Sequence, residues 1–103
     1  MLAISRFRVQ EEAIAGFAER ARTAVAYFAS CPGCEQVDLL RNLDDPELWT
    51  ITSRWVDVGS YRRSFNGYEA KLVLVPLLSE AIDEPSAYAT ADEVGENLPR
   101  FRD

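Results

Sequence analysis

The feature that most constrains this chain is the order in which its hydrophobic periods change. Residues 2–9 alternate with a period of two, placing Leu2 and Ile4 on one face and Ala3, Phe7 and Val9 on the other. The following "EEAIAGFAERARTAVAYFA" switches to helical spacing, with Ile14, Phe17, Ala18, Ala21, Val25 and Phe28 on one stripe and charged side chains elsewhere. Period two returns over residues 35–43 and again in "LWTITSRW". Between them "DDPE" supplies Asp and a Pro46 with its φ already set, which is turn chemistry. Asp57 or Ser60 caps the next helix, beginning around "VGSYRRSF", and Asn66–Gly67 breaks it. "YEAKLVLVPLLSEAI" resumes as helix, with Leu74, Leu78 and Ile82 or Leu72, Val75 and Ser79 as its face. That piece is apolar nearly all round, so burial on two sides is expected, and Pro76 either kinks it or starts a fresh turn. "SAYAT" reads as a short last strand.

The order β-α-β-β-α-β predicts an α+β, ferredoxin-like fold: one antiparallel sheet carrying both helices on one face. In the third strand Trp49, Ile51, Ser53 and Trp55 point one way, while Leu48, Thr50, Thr52, Arg54 and Val56 point the other. One sheet face is left bare, and a second copy is the economical cover, giving a homodimer. Residues 1–91 form the domain, and 92–103 a polar tail expected to be mobile on its own.

Composition removes several function classes. A net charge of −6 speaks against nucleic acid, which needs a basic face. No apolar run reaches membrane-span length, and the start lacks the pattern of a secretory signal, so a cytoplasmic protein is expected. Histidine is absent, which excludes a histidine-based triad, a histidine proton shuttle and a histidine ligand to haem. The only cysteines form "CPGC", Cys31 to Cys34, after a helix and before a strand. Two thiols without histidine do not close a zinc site within one chain, so no metal is expected, and Pro32–Gly33 reads as a helix-to-strand turn.

Four stretches carry a family resemblance: "AISRFRV", "CPGC" leading into the second strand, "DDPELWTITSRW" with "WVDVGSYRRSF", and "LVPLLSEAIDEP". Together they resemble the antibiotic biosynthesis monooxygenase domain family of dimeric α+β-barrel proteins. The resemblance implies a cleft between sheet and helices, lined by the tryptophan that closes the third strand, Trp55 here. It also implies oxygen chemistry without a cofactor on a small aromatic, a polycyclic phenol or quinone-like compound. Family members often carry an acidic residue two positions before that tryptophan and a histidine in the following helix. This chain has Ser53 at the first place and only Ser64 and Phe65 near the second, which argues against haem degradation.

Such chemistry needs a dry aromatic slot, a polar group to hold a substrate oxygen, and help with proton removal. The candidate catalytic residues are Trp55, Asn66 and Tyr61; Trp55, Tyr68, Ser53 and Arg62 are candidates for binding the substrate. Trp49 reads as core or dimer interface. Two readings stand open: a cofactor-independent monooxygenase, or a non-catalytic dimeric barrel that binds a small molecule or serves as an assembly unit.

Overall fold

The structure is a computed structural model that describes residues 1–96. Four strands, β1 (Leu2–Arg8), β2 (Cys34–Arg41), β3 (Leu48–Trp55) and β4 (Ala87–Tyr88), form one antiparallel sheet in the order β2-β3-β1-β4. This is the ferredoxin-like order. The expected parity holds along β1 and β3, whose register sets Phe7 opposite Trp49, Ser5 opposite Ile51 and Ala3 opposite Ser53. Those odd positions face the helices, and Ala3, Phe7, Trp49, Ile51, Ser53 and Trp55 are all buried.

Helix α1 (Ile14–Ser30) lays Phe17, Ala18, Ala21, Ala24 and Phe28 onto the sheet. The three alanines let the helix approach closely, and the two phenylalanines fill opposite ends of the core. Phe17 packs on Phe7 and Trp49 with ring centroids 5.1 and 5.6 Å apart. Phe28 meets Trp55 edge-on at 5.3 Å. The core therefore has two aromatic poles, one around each tryptophan.

Three expectations need correction. Strand β2 ends at Arg41, two residues early, because the Asn42 side-chain oxygen accepts the backbone N–H groups of Asp44 and Asp45 at 2.8 Å each. This asparagine turn competes with the ladder and leaves Leu43 fully exposed. The second apolar helix is shorter than its pattern suggests: a π-helical turn, Ala70–Leu74, runs into α3 (Val75–Leu78). Pro76 lies in the first turn of α3 and starts it afresh, where its missing N–H costs nothing. That segment also buries one stripe rather than two sides. Ala70, Leu74 and Leu77 are inside, while Leu72 and Val75 are exposed in the single chain.

Helix α2 (Val58–Arg63) is capped as expected, the Asp57 carboxylate accepting the Ser60 N–H at 2.7 Å. Gly67, with φ +93°, makes the break before the next helix. Beyond β4, residues Ala91–Glu96 form α4. The part of the polar tail from residue 97 onward lies outside the described residues. Among the described residues, no helix is long and apolar enough to cross a membrane.

Candidate functional site

The pole around Trp55 opens onto a cavity. Trp55 is 1% exposed, and its indole N–H donates to the Ser53 hydroxyl at 2.8 Å. Residues two apart on a strand share a face, so the pair satisfies within the strand a donor that burial would otherwise orphan. Tyr61 of α2 lies edge-on to Trp55 at 5.7 Å, and Phe65 lies edge-on to Tyr61 at 5.1 Å. The rings therefore step outward from a dry core: Phe28 and Trp55, then Tyr61 and Phe65.

On the outer side of Tyr61 and Phe65 is a cavity of about 440 Å³, the size that suits a small organic ligand. Ile4 and Ser5 of β1 form one wall. Leu78, Ser79 and Ala81 come from the end of α3 and the turn after it, and Ile82, Asp83, Glu84 and Ser86 from the segment leading to β4. That segment is pinned at both ends by β1: the Ile82 N–H donates to the Arg6 carbonyl, and the Ile4 N–H to the Ser86 carbonyl, each at 2.7 Å. Between these points it leaves the strand as a loop. The Arg6 guanidinium holds its middle through two bonds to the Glu84 carboxylate, at 2.7 and 2.8 Å. This fork is the strong geometry for an arginine–carboxylate pair, and it holds Glu84 below the usual carboxylate range.

The ionisable group facing the ring cluster is the Tyr61 phenol. Burial pushes its pKa above the ordinary tyrosine value, while hydrogen bonding with Ser86 pulls the other way. The phenol is thus a protonated donor through the neutral range, with an apolar wall on one side and serine hydroxyls on the other.

The sequence candidates separate into two groups. Ser53, Trp55 and Tyr61 are brought together, with Tyr61 on the cavity wall and Trp55 one ring behind it. Asn66, Tyr68 and Arg62 are exposed and lie away from the lining, Tyr68 at 78% exposure. Sequence reasoning missed Ser5, Ser79, Asp83, Glu84 and Ser86. Only the placement of "DEP" between the apolar helix and the last strand hinted that this loop borders a cleft. Among the described residues, no cluster of three His, Cys, Asp or Glu side chains is arranged to hold a metal.

Residues 1–71 match the family model for antibiotic biosynthesis monooxygenase. The chain belongs to that family. Similar solved structures point the same way. The chain is 29% identical to SnoaB, a cofactor-independent oxygenase from Streptomyces nogalater, over 85% of this chain and 90% of that one, with a TM-score of 0.68. It also resembles an antibiotic biosynthesis monooxygenase at 18% identity and TM-score 0.68, covering 86% of this chain and 98% of the other. A conserved protein from Methanosarcina mazei Go1 matches at 23% identity and TM-score 0.69, over 84% of each chain. At these lower identities the likeness is one of fold. No curated protein sequence matches the chain.

Proposed function

We propose that this member of the antibiotic biosynthesis monooxygenase family is a cofactor-independent oxygenase of a small, flat phenol or quinone-like compound, bound in the cavity beside Tyr61. The observation that carries the reading is the stepped ring cluster ending in a half-buried, protonated phenol on the wall of a cavity of ligand size. Tyr61 donates a hydrogen bond to the substrate oxygen, favouring its phenolate character. Phe65 lies beside Tyr61 on the same wall and offers the ring system an apolar surface. The substrate's proton passes to water, and the resulting phenolate then gives an electron to O₂, so the protein supplies position and a hydrogen bond to the anion. Trp55 backs Tyr61 and fixes its plane, and Ser53 fixes Trp55. Asn66, Tyr68 and Arg62, on the exterior of one chain, fall to contact with the outer part of a ligand or with a partner subunit.

The bare sheet face supports a homodimer. Leu40, Val56 and Tyr88 are exposed on or beside it, at 48, 60 and 50%. Closing two such faces on each other buries them and completes a barrel.

Oxygen uptake on a panel of polycyclic phenols tests the assignment. Wild type consumes oxygen on at least one of them, and Tyr61→Phe loses about 10²-fold in kcat, the lower end of what a positioned acid or base contributes. Binding without oxygen uptake across the panel would leave the non-catalytic barrel as the better reading.

A further inference from the structure

We infer that Cys31 and Cys34 form a dithiol site that closes reversibly to an intramolecular disulfide on exposure to a small disulfide oxidant such as oxidised glutathione. The oxygen chemistry proposed above makes no use of these thiols, and the inference stands apart from it.

The two cysteines are the first and last residues of a tight turn. The Cys34 N–H donates to the Cys31 carbonyl at 3.2 Å, Pro32 occupies the second position, and Gly33 has φ +89°. This is a type II turn, with proline and glycine each at the place that needs it. Such a turn brings its first and last Cα atoms within about 7 Å, and a disulfide spans about 4.4–6.8 Å. Closure therefore asks for side-chain rotation rather than refolding. The sulfurs now make weak bonds to separate carbonyls, Cys31 Sγ to Tyr27 at 3.4 Å and Cys34 Sγ to Gln36 at 3.7 Å. These bonds are exchanged for the S–S bond. The register shift between Cys34 and Gln36 gives that strand end local latitude.

The native fold holds the turn ready. The Gly33 carbonyl accepts the Val56 N–H at 2.8 Å, just past the end of β3. A Cβ built on Gly33 would stand 2.4 Å from the Ser60 hydroxyl oxygen, so the turn is wedged against α2. Both cysteines are free and half-buried, within reach of a small oxidant. Burial raises the pKa of the Cys34 thiol, which lowers its thiolate fraction and makes it the slower attacker of an external disulfide.

The Cys31 thiolate attacks one sulfur of oxidised glutathione, forming a mixed disulfide and releasing one glutathione thiolate. Cys34, losing its proton, attacks the Cys31 sulfur and releases the second. The protein dithiol is oxidised, and the glutathione disulfide is reduced to two thiols. Stabilisation by a disulfide grows with the loop it closes, and this loop is among the shortest possible. The bond is thus poorly suited to be a staple and well suited to be opened again.

The test uses the native full chain. It is incubated with oxidised glutathione, its remaining thiols are blocked with iodoacetamide, and its intact mass is measured. Wild type is expected to lose two hydrogens, carry neither glutathione nor alkyl groups, stay a single chain, and revert with dithiothreitol. Cys34→Ser is expected to stop at one glutathione adduct on Cys31. A stable glutathione adduct on wild type, undiminished alkylation of both thiols, a disulfide between chains, or closure only in urea would each overturn the proposal.

Discussion

The Ser53 hydroxyl receives the Trp55 indole N–H at 2.8 Å inside the core, two residues along the same strand. Removing it strands a donor where water does not reach, and an unsatisfied buried group costs about 1–3 kcal/mol. Ser53→Ala is expected to lower unfolding stability in urea by that amount. The double variant Ser53→Ala/Trp55→Phe should lose less than the sum of the single changes, since phenylalanine has no N–H to orphan.

Trp49 provides the contrast. Its ring is 7% exposed and lies beneath the Arg41 guanidinium, 4.8 Å from Cζ to the ring centroid, yet its indole N–H has no hydrogen-bond partner among the described residues. Trp49→Phe gives up some packing but also relieves an orphan donor. Its stability loss in the same urea experiment should therefore fall below that of Trp55→Phe. Equal losses would mean that the N–H of Trp49 is satisfied in solution.

Two glycines with left-handed backbones separate strain from steric contact. At Gly67, φ +93°, an added Cβ meets nothing within 4 Å, so Gly67→Ala carries only the backbone penalty of about 1–2 kcal/mol. At Gly33 the same penalty comes with a Cβ 2.4 Å from the Ser60 hydroxyl oxygen and 2.5 Å from its Cβ. Gly33→Ala should be the more destabilising by a clear margin in thermal melts. Ser60→Gly in the same chain should restore part of the difference.

The Arg6–Glu84 fork holds the loop over the cavity. Glu84→Gln is expected to speed hydrogen exchange at the Ile82 amide and to raise KM more than it lowers kcat, while leaving the melting temperature nearly unchanged, because the pair is partly exposed to solvent and such pairs contribute little to global stability. Acid should act in the same way. The folded pKa of Glu84 lies below its unfolded value, so the ion pair's contribution is complete above the ordinary carboxylate range and is lost as pH falls through the lowered value. The amide exchange difference between wild type and Glu84→Gln should vanish over that acidic interval.

The ferredoxin-like order was legible because each element announces itself locally. Alternation in β1 and β3, the alanine-rich stripe of α1 and the Asp57 cap all carry their own physical signal. The site was less legible. Ser53, Trp55 and Tyr61 could be brought together on paper because strand parity and the start of α2 fix their directions. The cavity wall from Leu78 to Ser86 could not, since it depends on how far the chain stands off β1 between two hydrogen bonds, a tertiary property with no periodic trace. The same holds for α3, where Pro76 and the π-helical turn decide which leucines face inward.

In the proposed function a flat aromatic ligand occupies the space beside Tyr61. Ala81 lines it and is only partly buried, so Ala81→Phe should obstruct the cavity without disturbing the core. Tryptophan fluorescence of wild type, titrated with polycyclic phenols, should show saturable quenching by at least one of them. Ala81→Phe, with an unchanged melting temperature, should lose it at least tenfold in Kd. Quenching of the same strength in Ala81→Phe would place the ligand elsewhere and overturn the assignment of the cavity as its site.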